Sequence, residues 1–233
     1  MPFKHSLLAV GLTLFLSYAG FSGKNLKIMP LGGTRSTSLT YGTASSDLNG
    51  YRATLDLLLA GDGNAVDMVG SQKSGNFTDP DHEGYLGFII SQIDAKGIAA
   101  MPVQQPNILT LAAGTNDMLQ NVAPTDAPAR LVTAIQDILD ASSATLVVVT
   151  TLLPNGNAAV NTRVNTFNAA LPGVLQQFTD SGSPVILVDA HAVVAVGDLA
   201  DGTHPNDAGY KRIAKVFYDG IQEGFSKGWI FDV

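Results

Sequence analysis

The chain has 233 residues, 45% of them hydrophobic and only 14% charged, with no cysteine and a formal charge of −7. Length and composition describe a folded domain with a well-buried core and exclude a disordered chain. The acidic balance, with no run of Lys or Arg, excludes nucleic acid and an anionic membrane surface as partners.

Met1 to Gly23 opens with Lys4 and His5, continues through the apolar run Leu7 to Leu16 and ends in small residues after Ser17-Tyr18-Ala19. That order predicts a secretory signal peptide over 1–23, too short for a membrane span, and a mature chain from 24 to 233. Without Lys4 the charge becomes −7 − 1 = −8. Export of a chain with no cysteine brings no disulfides, so packing has to supply the stability.

Leu26 to Leu31 predicts a first strand that opens into a tight turn at Gly32-Gly33, followed by a hydroxyl-rich loop to Ser46. Asp47 or Asn49 caps a helix over 51–59, and Ala65 to Gly70 is a second strand. Ser71 to Glu83 reads as a polar loop, with a helix from Gly87 to Lys96 ended by Gly97. Asn107 to Ala113 is a continuous apolar strand, and Pro128 to Ala141 a helix with Leu131, Ile135, Ile138 and Leu139 inward. Thr145 to Leu152 is a β-branched central strand, and Asn161 to Thr179 a helix with a kink at Pro172-Gly173. Pro184 to Val188 is the fifth strand, and Asn206 to Phe225 the closing helix. This alternation predicts a single α/β domain with a parallel sheet covered on both faces. In such sheets sites form at the carboxyl ends of the strands, where the Gly32, Gly114 and Asp201 segments all fall.

Chemistry concentrates in Asp201-Gly202-Thr203-His204-Pro205. A carboxylate three residues before a histidine can hold one ring nitrogen and leave the other to take a proton from a hydroxyl. Gly114-Thr115-Asn116-Asp117 follows the third strand and offers the Asn116 amide to a developing oxyanion. Gly87, without a side chain, lets a backbone N–H approach the same point. No zinc-ligand spacing is present, and no phosphate-loop pattern follows Gly32-Gly33, so neither a metal nor a cofactor is expected. His82 and Glu83, with Asp79 and Asp81, are expected to organise a polar loop, and His191 has no evident partner.

Together these segments resemble the GDSL or SGNH hydrolases, named for catalytic Ser, Gly, Asn and His. Ile28-Met29-Pro30-Leu31-Gly32, Gly50-Tyr51-Arg52, Val69-Gly70-Ser71-Gln72, Asp81-His82-Glu83-Gly84 and Asp201 to Tyr210 are most similar to the acetylxylan-esterase-like carbohydrate esterases. The resemblance implies a three-layer α/β/α sandwich with a five-stranded, mostly parallel, flavodoxin-like sheet. It also implies a secreted, extracellular enzyme that removes acetyl groups from polysaccharide or oligosaccharide, without a membrane anchor after leader cleavage. His204 becomes general base, Asp201 its orienter, and Asn116 and Gly87 the oxyanion donors, with Asp117 a structural carboxylate.

The departure lies at the nucleophile. Where the family has Gly-Asp-Ser, this chain has Gly32-Gly33-Thr34, so Thr34 falls on the serine and Gly33 on the aspartate, beside substrate. The threonine methyl stiffens χ1 and takes up room near the acyl group. Ser36 or Ser38 supplies the hydroxyl only if the loop is re-registered. Arg35 stands where the family has an apolar residue, either as an anchor for an anionic group or turned to solvent. Two other readings accompany the esterase. One is a non-hydrolytic sugar-binding relative; the other is an enzyme that works on glycosidic bonds of acidic sugars through Asp201 and His204.

Overall fold

The computed structural model describes residues 22–34 and 39–232, with only the backbone of Thr34. The signal peptide expected over 1–23 falls almost wholly outside the described residues, as do Arg35, Ser36 and Ser38.

Among the described residues seven strands, where five were expected, form one sheet: β1 (Asn25–Thr34), β2 (Ala65–Met68), β3 (Gln72–Lys73), β4 (Asp81–Leu86), β5 (Ile108–Ala112), β6 (Leu146–Thr150) and β7 (Val185–Val188). Six α-helices accompany them among the described residues: α1 (Arg52–Gly61), α2 (Ile90–Gln104), α3 (Thr115–Gln120), α4 (Ala127–Ala141), α5 (Ala158–Asp180) and α6 (Asp207–Ser226). The order is β3-β4-β1-β5-β6-β7, with β2 also on β1. All pairings are parallel except that of β3 with β4.

Period-two alternation explains the two covered faces. Leu26 and Ile28, Ile108, and Leu146 and Val148 pack with Tyr51, Leu55, Ile213 and Phe217 of the α1–α6 layer. Met29 and Leu31, Leu109 and Leu111, and Val147 and Val149 pack with Ile93, Ile138 and Phe167 of the α2–α4–α5 layer. The three-layer α/β/α architecture matches the expectation.

Several expectations change. β1 runs through Gly32-Gly33, where a turn was expected, because both flanks are paired: Gly32 lies opposite Ala112 on one side and Gly84 on the other. The expected second strand over 65–70 is β2, which ends at Met68. β2 takes Asn25 to Ile28 of β1, the chain leaves as a loop, and β4 resumes the same edge against Leu31 to Thr34. Asp79 secures the break by accepting the Met68 N–H at 2.5 Å. The expected polar loop 71–83 therefore contains a two-residue antiparallel strand and the start of β4. α2 starts later than expected and passes Gly97, since packing against β1 leaves only hydrogen-sized room there: a Cβ on Gly97 would sit 2.8 Å from Leu31 Cδ2. Neither Asp47 nor Asn49 caps α1, whose N-cap Tyr51 uses no side chain; Asp47 instead accepts the Asn49 N–H at 2.9 Å.

Candidate active site

Asp201 and His204, the expected orienter and base, sit in a closed loop. Leu199 and Pro205 form a bridge, and the Ala200 N–H donates to His204 O at 2.7 Å. Inside it Asp201 Oδ1 accepts the N–H groups of Thr203 (3.0 Å) and His204 (2.8 Å). Its other oxygen, Oδ2, lies 2.7 Å from His204 Nδ1, so one carboxylate sets both loop shape and ring orientation. The His204 side chain is only 5% exposed, whereas that of Asp201 is 48% exposed. Burial pushes the Asp201 carboxyl up, but the imidazole and the two backbone donors outweigh it and hold the group below the usual carboxylate range.

This loop is tied down on two sides. Gly156 N–H donates to Gly202 O at 2.8 Å and Asn155 Nδ2 to Thr203 Oγ1 at 3.1 Å, which fixes it to the segment leaving β6. Beyond His204, Asn206 caps α6 by accepting the Gly209 N–H at 2.9 Å. Asp207 accepts Ser46 N–H and Ser46 Oγ–H, both at 2.8 Å, and Tyr210 donates to Thr43 O at 2.5 Å. The hydroxyl-rich loop after β1 is thus bonded to the helix that follows the histidine.

The two groups expected as oxyanion donors, Gly87 and Asn116, lie around the end of β4. Thr34 closes β1 with its backbone opposite Leu86, one residue before Gly87. Gly87 has φ +80°, a conformation that favours glycine. Asn116, fully buried in the first turn of α3, donates from Nδ2 to Phe88 O at 2.7 Å, and Gln120 Nε2 donates to Gly87 O at 3.1 Å. α3 therefore clasps the chain on both sides of the Gly87–Phe88 peptide. The Asn116 amide is thereby fixed against the segment that follows Gly87. Asp117 faces away from this chemistry. It accepts the Ile90 N–H at 3.0 Å and a 2.8 Å contact from Arg130, so it joins the starts of α2 and α3 to α4.

Gly33, expected beside substrate, is buried in β1. A Cβ there would meet Phe88 O at 2.8 Å and Ile93 Cδ1 at 2.9 Å, so its role is close packing. His82 and Glu83, expected in a polar loop, are buried in β4. His82 Nδ1 accepts the Gly84 N–H (2.9 Å), which puts its proton on Nε2 to donate to Ser74 Oγ (2.8 Å). Burial first, and Arg52 second, lower the His82 pKa to about 3. His191 does have a partner: with its proton on Nδ1 the ring donates to Leu152 O at 2.9 Å, and Asn168 Nδ2 lies 3.2 Å from the same nitrogen without accepting from it. Among the described residues, no three of His, Cys, Asp or Glu gather as a metal site would require.

Arg52 is the functional support whose chemistry sequence reasoning missed. Fully buried, it donates to the carbonyls of Pro80, Leu48 and Ser74 at 2.7–3.0 Å and to Ser74 Oγ at 2.8 Å. Burial lowers its pKa to about 10. The loops before α1 and before β4 are held around this one cation. Its place in the Gly50-Tyr51-Arg52 run at a helix start was the available signal.

Comparison with known proteins agrees with the architecture. A multidomain esterase of Ruminococcus flavefaciens is 31% identical across 87% of this chain, and the chain spans 29% of that protein's length. A family 3 carbohydrate esterase of Clostridium thermocellum superposes with a TM-score of 0.77 at 30% identity, covering 87% of this chain and 98% of that one. A mutant acetyl esterase with an acetate ion superposes with a TM-score of 0.68 at 26% identity, covering 86% and 99%. Residues 37–212 match the GDSL-like lipase/acylhydrolase family, and the chain belongs to that family.

Proposed function

We propose that this protein is an exported carbohydrate esterase that removes acetyl groups from plant polysaccharide. The observation that carries the reading is the 2.7 Å Asp201–His204 contact, in a segment that follows β7 as Gly87 follows β4 and Asn116 follows β5. His204 Nε2 takes the proton of an attacking hydroxyl as the oxygen adds to the ester carbonyl. The Gly87 N–H and Asn116 Nδ2 stabilise the resulting oxyanion. His204 then returns the proton to the departing sugar hydroxyl, and water releases the acyl group as acetate. The names of the esterase relatives support the substrate class, and the acetyl esterase supports the acyl group.

Two hydroxyls compete for the attack. Thr34 follows Gly32-Gly33 and ends the strand opposite Leu86. Ser38 is favoured by a specific finding: the family match opens at residue 37, which takes in Ser38 and leaves Thr34 out. In that register four extra residues, Gly33 to Ser36, precede Thr37-Ser38-Leu39-Thr40-Tyr41-Gly42. The described residues on either side of the loop support it, because Thr40 Oγ1 stands 2.9 Å from a Cβ built on Gly32. By residue 40 the chain has come back beside the strand it left. Ser38 is therefore the better-supported nucleophile, with Thr34 the alternative.

Labelling with a fluorophosphonate followed by peptide mass mapping tests both proposals. Modification of Ser38, abolished by His204→Ala, supports the enzyme and this assignment. Modification of Thr34 reverses the assignment. No labelling together with no hydrolysis of acetylated xylo-oligosaccharide leaves the sugar-binding reading in its place. Export is tested by sequencing the N-terminus of protein recovered from the culture medium, where a start near residue 24 is expected.

A further inference from the structure

A cavity of about 420 Å³ lies along the outer strand β7, away from the Gly87–Asn116 clasp. Asn165, Asn168 and Pro172 of α5 line it together with Leu187, Asp189 and His191. Its size falls in the range of small-molecule sites. Beside the side-chain amides of Asn165 and Asn168, its lining carries three acceptors.

His191 Nδ1 must carry the ring proton to bond Leu152 O at 2.9 Å, which leaves Nε2 a lone pair with no partner among the described residues. Asp189 Oδ1 is occupied by Thr151 Oγ1 (2.8 Å) and the Ala192 N–H (3.2 Å), and Oδ2 has no such partner. Pro172 sits inside α5 and brings no N–H, so the carbonyl of Asn168, four residues earlier, lacks its helical donor. Leu187 and the Pro172 ring add apolar surface. A ligand matching these groups has several hydroxyl donors and an apolar C–H face, and it carries no negative charge that would oppose Asp189.

We infer that this cavity binds a neutral sugar unit of the polysaccharide, distinct from the unit that bears the ester. β7 lies three interstrand steps from β1, roughly 14 Å at about 4.8 Å each. Both places open at the carboxyl ends of the strands, and they are joined through Leu152: its carbonyl accepts from His191, and its side chain lies 3.4 Å from a Cβ built on Gly114. The inference rests on the proposed function only for its choice of sugar.

The experiment is titration of the ¹⁵N-labelled protein with ester-free xylotetraose, which tests binding without hydrolysis. Amide shifts at Asn165, Asn168 and Ala192, with a millimolar dissociation constant, are expected. Exposed Asn165 contributes an amide at the rim, and Asn165→Ala weakens binding about threefold to tenfold; His191→Leu weakens it further. Both variants hydrolyse 4-nitrophenyl acetate, which carries no sugar, at the native rate. Absence of shifts at about 20 mM sugar, shifts confined to Gly87, Asn116 and His204, or native affinity in Asn165→Ala overturns the inference. If no protein hydrolyses the acetate ester while xylotetraose still binds at β7, the proposed function fails and this site stands.

Discussion

Asp201→Asn isolates the orienting carboxylate without disturbing the loop that carries it. The amide oxygen can replace Oδ1 and keep both backbone bonds, from Thr203 at 3.0 Å and His204 at 2.8 Å. Nδ2 then replaces Oδ2 and presents N–H to His204 Nδ1, so the ring keeps its proton on Nε2 and cannot accept one from a hydroxyl. Rotating the amide to restore the working tautomer turns Nδ2 against the two backbone donors and sacrifices two hydrogen bonds, about 1–3 kcal/mol in total. Losing the negative charge beside the developing imidazolium adds about 1 kcal/mol, a modest figure because Asp201 is 48% exposed and water screens it. Together these amount to roughly 2–4 kcal/mol, or about 30-fold to 10³-fold in kcat/KM. Initial rates on 4-nitrophenyl acetate measure the loss, with the melting temperature as control for folding. An Asp201→Asn enzyme that keeps more than about a third of native kcat/KM with an unchanged melting temperature refutes the orienting role.

Asn116→Ala removes an oxyanion donor and lowers kcat about 10²–10³-fold with little change in KM; an equal change in KM instead would mark a ground-state contact. Arg52→Met leaves three buried carbonyls without their donor and destabilises by roughly 3–5 kcal/mol, read by urea unfolding, with Arg52→Lys intermediate. His82 is neutral in the folded protein down to about pH 3 but protonates near 6.5 when unfolded, so between those values the unfolded state holds the extra proton. Stability therefore falls as pH drops from 6.5 toward 3, by up to about 1.4 kcal/mol per pH unit from this group, and is unaffected by it above 6.5. His82→Asn flattens that slope relative to the native protein, as denaturant titrations at pH 4 to 7 will measure.

Much of this was decided locally in the sequence. The alternation of β-branched runs with amphipathic helices specified a doubly covered parallel sheet, because each segment's period fits only one kind of buried face. Asp201 and His204 are three residues apart, so their pairing needs nothing beyond one turn of chain. Only the tertiary structure could show that β2 and β4 share one edge of β1, since that division depends on where Asp79 and Arg52 gather a loop from segments distant in the chain. It alone buried His82 and Glu83, whose polar sequence reads as surface until neighbouring strands enclose it. The clasp of Asn116 on Phe88 and the cavity beside β7 likewise join residues far apart in sequence. Periodicity reports which face of an element is buried, and it carries no information about which distant side chain that face will meet.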